Sequence, residues 1–156
     1  MARAMTLDDF LARIPKVELH CHLLGTVRRA TFTELVRRAQ APITDAEIAA
    51  FYTRGDKPVG VLRVLRALED WLLRGPDDFH RITYEYLCAA AQHGVRHAEF
   101  FWNPTGSERA RGLRYAELLP AIRRAMADAQ VDAGISARLI PAIDREAPGA
   151  FARQMV

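Results

Sequence analysis

Three short segments with strand-type patterning are separated by segments with helix-type patterning, and this order constrains the fold more than any other feature of the sequence. Residues 16–22 alternate between apolar and polar side chains, as a half-buried strand does. Residues 95–102 and residues 135–140 are short runs rich in β-branched, aromatic and other apolar side chains. Strands that alternate with helices predict right-handed βαβ units and a parallel sheet.

Helical periodicity and capping residues mark the other segments. Thr6 and Asp9 form a capping pattern that opens a short helix, which Pro15 ends. Residues 23–26 are expected to form a loop, and residues 55–58 a break between helices. Further helices are predicted over residues 31–40, 44–52, 59–74, 77–93 and 113–133, and another opens at Pro148.

The number of predicted strands bears on how much of a domain is present. A parallel sheet is covered on both faces or closed into a barrel, and three strands with one helical layer meet neither condition. We therefore expect the N-terminal portion of a larger α/β domain. A small three-layer α/β domain with extra helices is the alternative. The composition, with 50% apolar and 26% charged residues, is that of an ordinary globular chain.

The composition also disfavours several classes of protein. Cys21 and Cys88 are the only cysteines, too few for a disulfide framework or a Cys-rich zinc module. No apolar run is long enough to cross a membrane, and the first residues lack the apolar core of a secretory signal. The net charge is +3, but the arginines are scattered instead of clustered on one segment. We expect a cytoplasmic protein that binds neither membranes nor nucleic acid.

The first predicted strand ends in His20-Cys21-His22. Residues i and i+2 of a strand point to the same side, with Cα atoms about 6.6 Å apart, so two imidazoles can converge on one metal ion. Imidazole nitrogen is a good zinc ligand, whereas Cys21 points to the opposite side and is expected to pack. Barrel enzymes place their active sites at this end of their strands. On the residues alone, packing of the histidines remains an alternative to metal binding.

Two longer motifs carry a resemblance to a known family. Residues 15–26, Pro-Lys-Val-Glu-Leu-His-Cys-His-Leu-Leu-Gly-Thr, resemble the opening strand of the adenosine/adenine/AMP deaminase family of the amidohydrolase superfamily. Residues 79–86 and residues 93–104, which end in Glu-Phe-Phe-Trp-Asn-Pro, are similar to the helix and second strand of that family. The motifs follow the family's order and spacing, and the resemblance spans nearly the whole chain.

The resemblance implies about three βα units of a TIM (β/α)8 barrel, with residues 1–156 as the N-terminal portion of the barrel domain. It implies one zinc ion with His20 and His22 as two of its ligands. It also implies hydrolytic deamination of a small-molecule substrate, an adenosine-like or other aminopurine. The family's third histidine, its proton-shuttling glutamate and its aspartates come from later strands, so no catalytic residue is identified within this chain.

One position departs from the family's pattern. The residue two after the second histidine is acidic in the family, but here it is Leu24, which accepts no hydrogen bond. A substrate hydroxyl left unpaired there costs about 1–3 kcal/mol. Leu24 and Gly25 are the expected substrate-binding residues. The expected substrate is a less polar or modified aminopurine, or another amine-bearing heterocycle. Two rival hypotheses are another His-x-His barrel metallohydrolase, such as a phosphoesterase, and an inactive truncated fragment.

Overall fold

The computed structural model describes residues 5–53 and 61–153. The strands are β1 (Lys16–His22), β2 (Val95–Trp102) and β3 (Ser136–Pro141). The helices are α1 (Leu7–Arg13), α2 (Arg29–Ala39), α3 (Asp45–Tyr52), α4 (Val61–Ala67), α5 (Pro76–Gln92), α6 (Thr105–Arg111), α7 (Tyr115–Ala133) and α8 (Gly149–Arg153). A 3₁₀ turn (Leu23–Thr26) follows β1, and a π-helical turn (Leu68–Leu72) continues α4.

The three strands are parallel and lie in the order β1-β2-β3, which confirms the predicted parallel sheet. Helices connect each strand to the next, as in the first three βα units of a (β/α)8 barrel. His22 lies opposite Phe101, and Phe101 lies opposite Ile140. The carboxyl ends of the strands therefore meet at one edge of the sheet.

A bulge interrupts the pairing of β1 with β2. Two residues separate Glu18 from Cys21 on β1, but only one separates their partners Ala98 and Phe100 on β2. The extra residue shifts the alternation of side chains by one position. His20 and the residue before it are consequently both exposed, and the strict alternation predicted for this strand does not hold throughout.

The helices cover one face of the sheet. Ala98, Phe100 and Trp102 of β2 are buried on this face. The Phe79 ring of α5 lies 5.1 Å from the Trp102 ring, and the Tyr86 ring lies 5.9 Å from the Phe100 ring. These aromatic contacts join the sheet to α5 and form the centre of the core.

The opposite face of the sheet carries several ionisable side chains. His20 and His22 of β1 and Arg138 of β3 are exposed there, and His97 and Glu99 of β2 are half-buried. Val17 and Phe101 lie among them, so this face is mixed in character. The histidines and the other ionisable side chains named here therefore lie on the face that the helices leave open.

Several predicted helix ends are confirmed. Thr6 caps α1 and Thr44 caps α3, each in a reciprocal capping box with the acid three residues on, Asp9 and Glu47 respectively. Gly134 ends α7 with a φ of +67°, a conformation that glycine adopts without steric cost. The capping residues thus fix where these helices begin and end.

Two short elements differ from the prediction. Residues 23–26 form a 3₁₀ turn instead of a loop, with the Thr26 hydroxyl donating to the Leu23 carbonyl oxygen at 2.7 Å. Helix α6 was not predicted, because its seven residues carry no apolar periodicity. Its start is fixed locally, since the Asn103 side-chain oxygen accepts the Thr105 backbone N–H at 3.0 Å.

The helix predicted over residues 59–74 is also more complex than expected. It continues from α4 into the π-helical turn, where the Leu73 backbone N–H donates to the Leu68 carbonyl oxygen at 2.9 Å. This five-residue spacing is the wide turn of a π-helix. The break predicted at residues 55–58 and the first two residues of this helix lie outside the described residues.

The apolar stripe of α1 lies on the surface. Helix α1 forms as predicted, but Leu7, Phe10 and Leu11 are 70%, 46% and 45% exposed. The stripe adds nothing to the core of the described residues. The helix is held by its capping box, by its connection to β1 and by the Lys16 ammonium, which donates to the Leu11 and Ile14 carbonyl oxygens. No helix in residues 5–53 and 61–153 combines the length and apolarity needed to cross a membrane.

Candidate active site

His20 and His22 lie side by side at the carboxyl end of β1. Both side chains are exposed on the open face of the sheet, and their ring centroids are 5.8 Å apart. Zinc–nitrogen bonds of about 2.0–2.1 Å place the centroids of two imidazoles that share one ion roughly 5–6 Å apart. Among the described residues, no hydrogen bond or ion pair engages a ring nitrogen of either histidine. The pair is therefore arranged and available to hold a metal ion.

Phe101 of β2 packs against both histidines. Its ring centroid lies 4.7 Å from that of His20 and 5.7 Å from that of His22. The contact follows from the register, in which His22 lies directly opposite Phe101. The aromatic ring supports both imidazoles and gives the site an apolar wall.

The histidine pair fits zinc as part of a site. A catalytic zinc ion takes three protein ligands, and the described residues contain no group of three or more His, Cys, Asp or Glu placed to hold a metal. Cys21 packs towards the core on the other side of the strand, and burial raises the pKa of its thiol. It is therefore a packing residue, as its position in the strand predicted.

A cleft of about 330 Å³ opens beside His22. Its apolar walls come from the 3₁₀ turn, from α4 and from the end of β2, namely Leu23, Leu24, Leu62, Leu65, Phe101 and Trp102. Arg66, Glu69 and Asn103 add polar groups to this lining. A mostly apolar cleft with a few polar groups is typical of a small-molecule site.

The two residues expected to bind substrate differ in their placement. Leu24 is 7% exposed and lines the cleft, so it offers an apolar surface beside His22. Gly25 is exposed in the 3₁₀ turn and is not among the residues that line this cleft. In this structure, only Leu24 of the pair is in the wall of the cleft.

Glu69 is a residue of the cleft that the sequence analysis missed. Burial, followed by repulsion from the Asp70 carboxylate, raises the pKa of Glu69 to about 7. A sequence signal was present: Glu69 lies four residues after Leu65 and three before Leu72, on the apolar stripe of the predicted helix. An acidic residue on a buried stripe deserves consideration as a functional group.

Sequence comparisons relate this chain to known proteins. A family model described as adenosine deaminase matches residues 15–156. The chain is 33% identical over 142 residues to an adenine deaminase from Chlorobium luteolum, an alignment covering 90% of this chain and 41% of that protein.

Two solved structures extend the comparison. One, an amidohydrolase from Burkholderia ambifaria with bound Zn, is 57% identical and superposes with a TM-score of 0.90. The alignment covers 98% of this chain and 43% of the amidohydrolase chain. The other, the N6-methyl-AMP deaminase from Arabidopsis thaliana, is 25% identical and superposes with a TM-score of 0.74. The alignment covers 92% of this chain and 44% of the Arabidopsis chain.

These matches extend over most of this chain but less than half of each relative. The chain spans about two fifths of the length of the curated relatives that it matches. The fold class inferred from the strand order agrees with the structural matches, because three parallel strands with connecting helices align with amidohydrolase chains. Since the family model matches residues 15–156, the chain belongs to the adenosine deaminase family.

Proposed function

We propose that the protein containing this chain is a zinc-dependent hydrolase that deaminates an aminopurine. The observation that carries the proposal is the exposed pair His20 and His22, adjacent to an apolar cleft, in a member of the adenosine deaminase family. The relative from Burkholderia ambifaria contains zinc, which supports this choice of metal.

In the proposed site, His20 and His22 are two ligands of one zinc ion. Bound zinc lowers the pKa of a water molecule towards neutrality and so supplies a nucleophile for hydrolysis. The imidazoles bind as neutral bases, and their contact with Phe101 limits how far they can turn. The remaining ligand and the groups that move protons are proposed to come from later strands of the barrel, of which residues 1–156 form the N-terminal portion.

The cleft is proposed to bind the heteroaromatic ring. Phe101, Trp102 and Leu24 offer apolar surface that removes water from a planar ring and holds it beside the histidines. Leu24 cannot accept a hydrogen bond from a sugar hydroxyl, so we propose an aminopurine other than one recognised through that contact. Gly25 is proposed to leave room for substrate at the rim. A cytoplasmic enzyme that binds a small molecule, and not nucleic acid, remains our prediction.

The test is a comparison of His20→Ala with His93→Ala in the full-length protein. His20→Ala is expected to lower the bound zinc content and to abolish release of ammonia from a panel of aminopurines. His93 is exposed at the end of α5, so His93→Ala is expected to leave zinc and turnover unchanged.

Two results would contradict the proposal. One is full zinc content and full deaminase activity in the His20→Ala protein. The other is a zinc-loaded wild-type protein that hydrolyses phosphomonoesters and no aminopurine, since that result favours a His-x-His phosphoesterase instead.

A further inference from the structure

Glu69 occupies an unusual position for a carboxylate. It belongs to the π-helical turn, in which Leu68 and Leu72 are 0% exposed, and its own side chain is half-buried. It lines the same cleft as His22 and Phe101. π-helical turns are rare and frequently coincide with functional sites. The turn therefore brings an acidic group into the wall of a mostly apolar cleft.

Within the described part of the chain, no hydrogen bond or ion pair engages the Glu69 carboxylate. Burial and repulsion by Asp70 and Asp144 raise its pKa to about 7, although Arg109 and Arg66 attract its charge. A carboxyl group that is partly removed from water and lacks a direct partner gains from any donor that a bound molecule supplies. The carboxylate of this cleft-lining residue is thus an available acceptor.

The neighbouring helix α6 leaves space for this carboxylate. Glu69 packs against the backbone of Gly106, and a Cβ atom at position 106 would overlap the carboxylate. The contact involves the far end of a flexible side chain, so a larger residue at position 106 displaces the Glu69 carboxylate instead of breaking the fold. The position of the acceptor therefore depends on glycine at position 106.

We propose that Glu69 contacts the substrate and selects aminopurines that present an N–H or O–H donor beside the ring. This inference rests on the proposed function. Leu24 cannot accept a hydrogen bond, and Glu69 is proposed to supply the acceptor from another wall of the cleft. Two sources can provide the donor: the imidazole N–H of a free purine base, or a hydroxyl group of a nucleoside. The chemistry is the same, and the choice between the sources is experimental.

The experiment measures kcat/KM of the full-length, zinc-loaded protein on adenine, 9-methyladenine and adenosine. 9-Methyladenine retains the purine ring, but a methyl group replaces the imidazole N–H donor at N9. Glu69→Leu is expected to lower kcat/KM on the donor-bearing substrate about 10–100-fold, mainly through KM, and to leave 9-methyladenine unaffected. Glu69→Gln is expected to recover part of the loss, because its amide oxygen still accepts a hydrogen bond.

A second variant tests the same point without changing Glu69. Gly106→Ala is expected to reduce kcat/KM on the same substrate by displacing the carboxylate, while α6 remains folded because alanine favours helix. Glu146→Gln is the matched control for Glu69→Gln, because it makes the same chemical change at an exposed loop position. It is expected to leave kcat/KM unchanged. Melting curves show whether each variant is folded.

Each outcome decides a different point. Loss confined to adenine identifies the base N–H as the donor, and loss confined to adenosine identifies a hydroxyl. Folded Glu69→Leu protein that keeps full activity, or loses it equally on all three substrates, overturns the assignment of Glu69. If His20→Ala still abolishes turnover in that case, the proposed function stands and only this inference fails. Wild-type protein that deaminates no aminopurine refutes both.

Discussion

Replacing Asp78 by alanine tests whether one buried carboxylate holds the segment that carries the π-helical turn. Asp78 is 6% exposed in the first turn of α5. Its carboxylate accepts hydrogen bonds from the Arg38 guanidinium and from the Arg74 backbone N–H, each at 2.8 Å. The same guanidinium donates to the Leu72 carbonyl oxygen at 3.2 Å. Asp78 therefore connects α2, the end of the π-helical turn and α5.

The expected cost follows from the two donors that Asp78→Ala leaves without an acceptor. Removing one partner of a fully buried ion pair costs about 3–5 kcal/mol. The Arg38 side chain is 44% exposed, so water replaces part of its lost bond. We therefore expect the free energy of unfolding to fall by about 2–4 kcal/mol. Asp78→Asn keeps one carbonyl oxygen for the Arg74 N–H, and its loss should be about half as large.

Urea denaturation of the full-length protein, followed by circular dichroism, measures this loss. Asp77→Ala is the matched control, because the Asp77 side chain is fully exposed and lies 3.9 Å from its closest cation, Arg124. The control is expected to change the midpoint little, since exposed ion pairs contribute little to stability. Equal shifts for Asp78→Ala and Asp77→Ala would show that the buried carboxylate does not hold this segment.

Two further predictions concern stability. The folded-state pKa of Glu69, about 7, lies above its ordinary value of 4.5, so its contribution to stability is fully present below pH 4.5 and lost as pH rises through 7. The stability of Glu69→Gln relative to wild type should therefore increase as pH rises from 4.5 to about 7 and then level off, and a pH-independent difference would contradict burial of the carboxyl group. Gly134 has a φ of +67° with open space around it. Gly134→Ala should cost about 1–2 kcal/mol in unfolding free energy and Gly134→Asn less, whereas equal melting temperatures for the three proteins would refute strain at this position.

The parallel sheet could be predicted because its determinants are local. Pro15, Gly94 and Gly134 interrupt the helical patterns just before the three strands, and the capping residues Thr6 and Thr44 fix two helix starts. Strand and helix periods can be identified from such short windows without knowledge of neighbours. The order of the elements then leaves few topologies, and right-handed crossovers select the parallel one.

The two missed features have different causes. Helix α6 is short and carries no apolar periodicity, and the Asn103 side-chain oxygen just before it accepts the Thr105 backbone N–H. Glu69 becomes part of a cleft only because the π-helical turn, the end of β2 and Gly106 meet around it. The apolar stripe marked Glu69 as an acid among buried positions, but its place in the cleft depends on segments that are distant in sequence.

The bulge in β1 determines which face of the sheet carries the histidines. Glu18 and Cys21 lie opposite Ala98 and Phe100, on the side that packs against the helices. Strict alternation that starts at Glu18 would place both histidines on that packed side. A one-residue slip moves every following side chain to the other face. The extra residue reverses this outcome: Cys21 still packs and both imidazoles are exposed. Spacing in the His-x-His motif therefore accounts for the pairing of the imidazoles, whereas their direction depends on the bulge and on the strand that lies beside them.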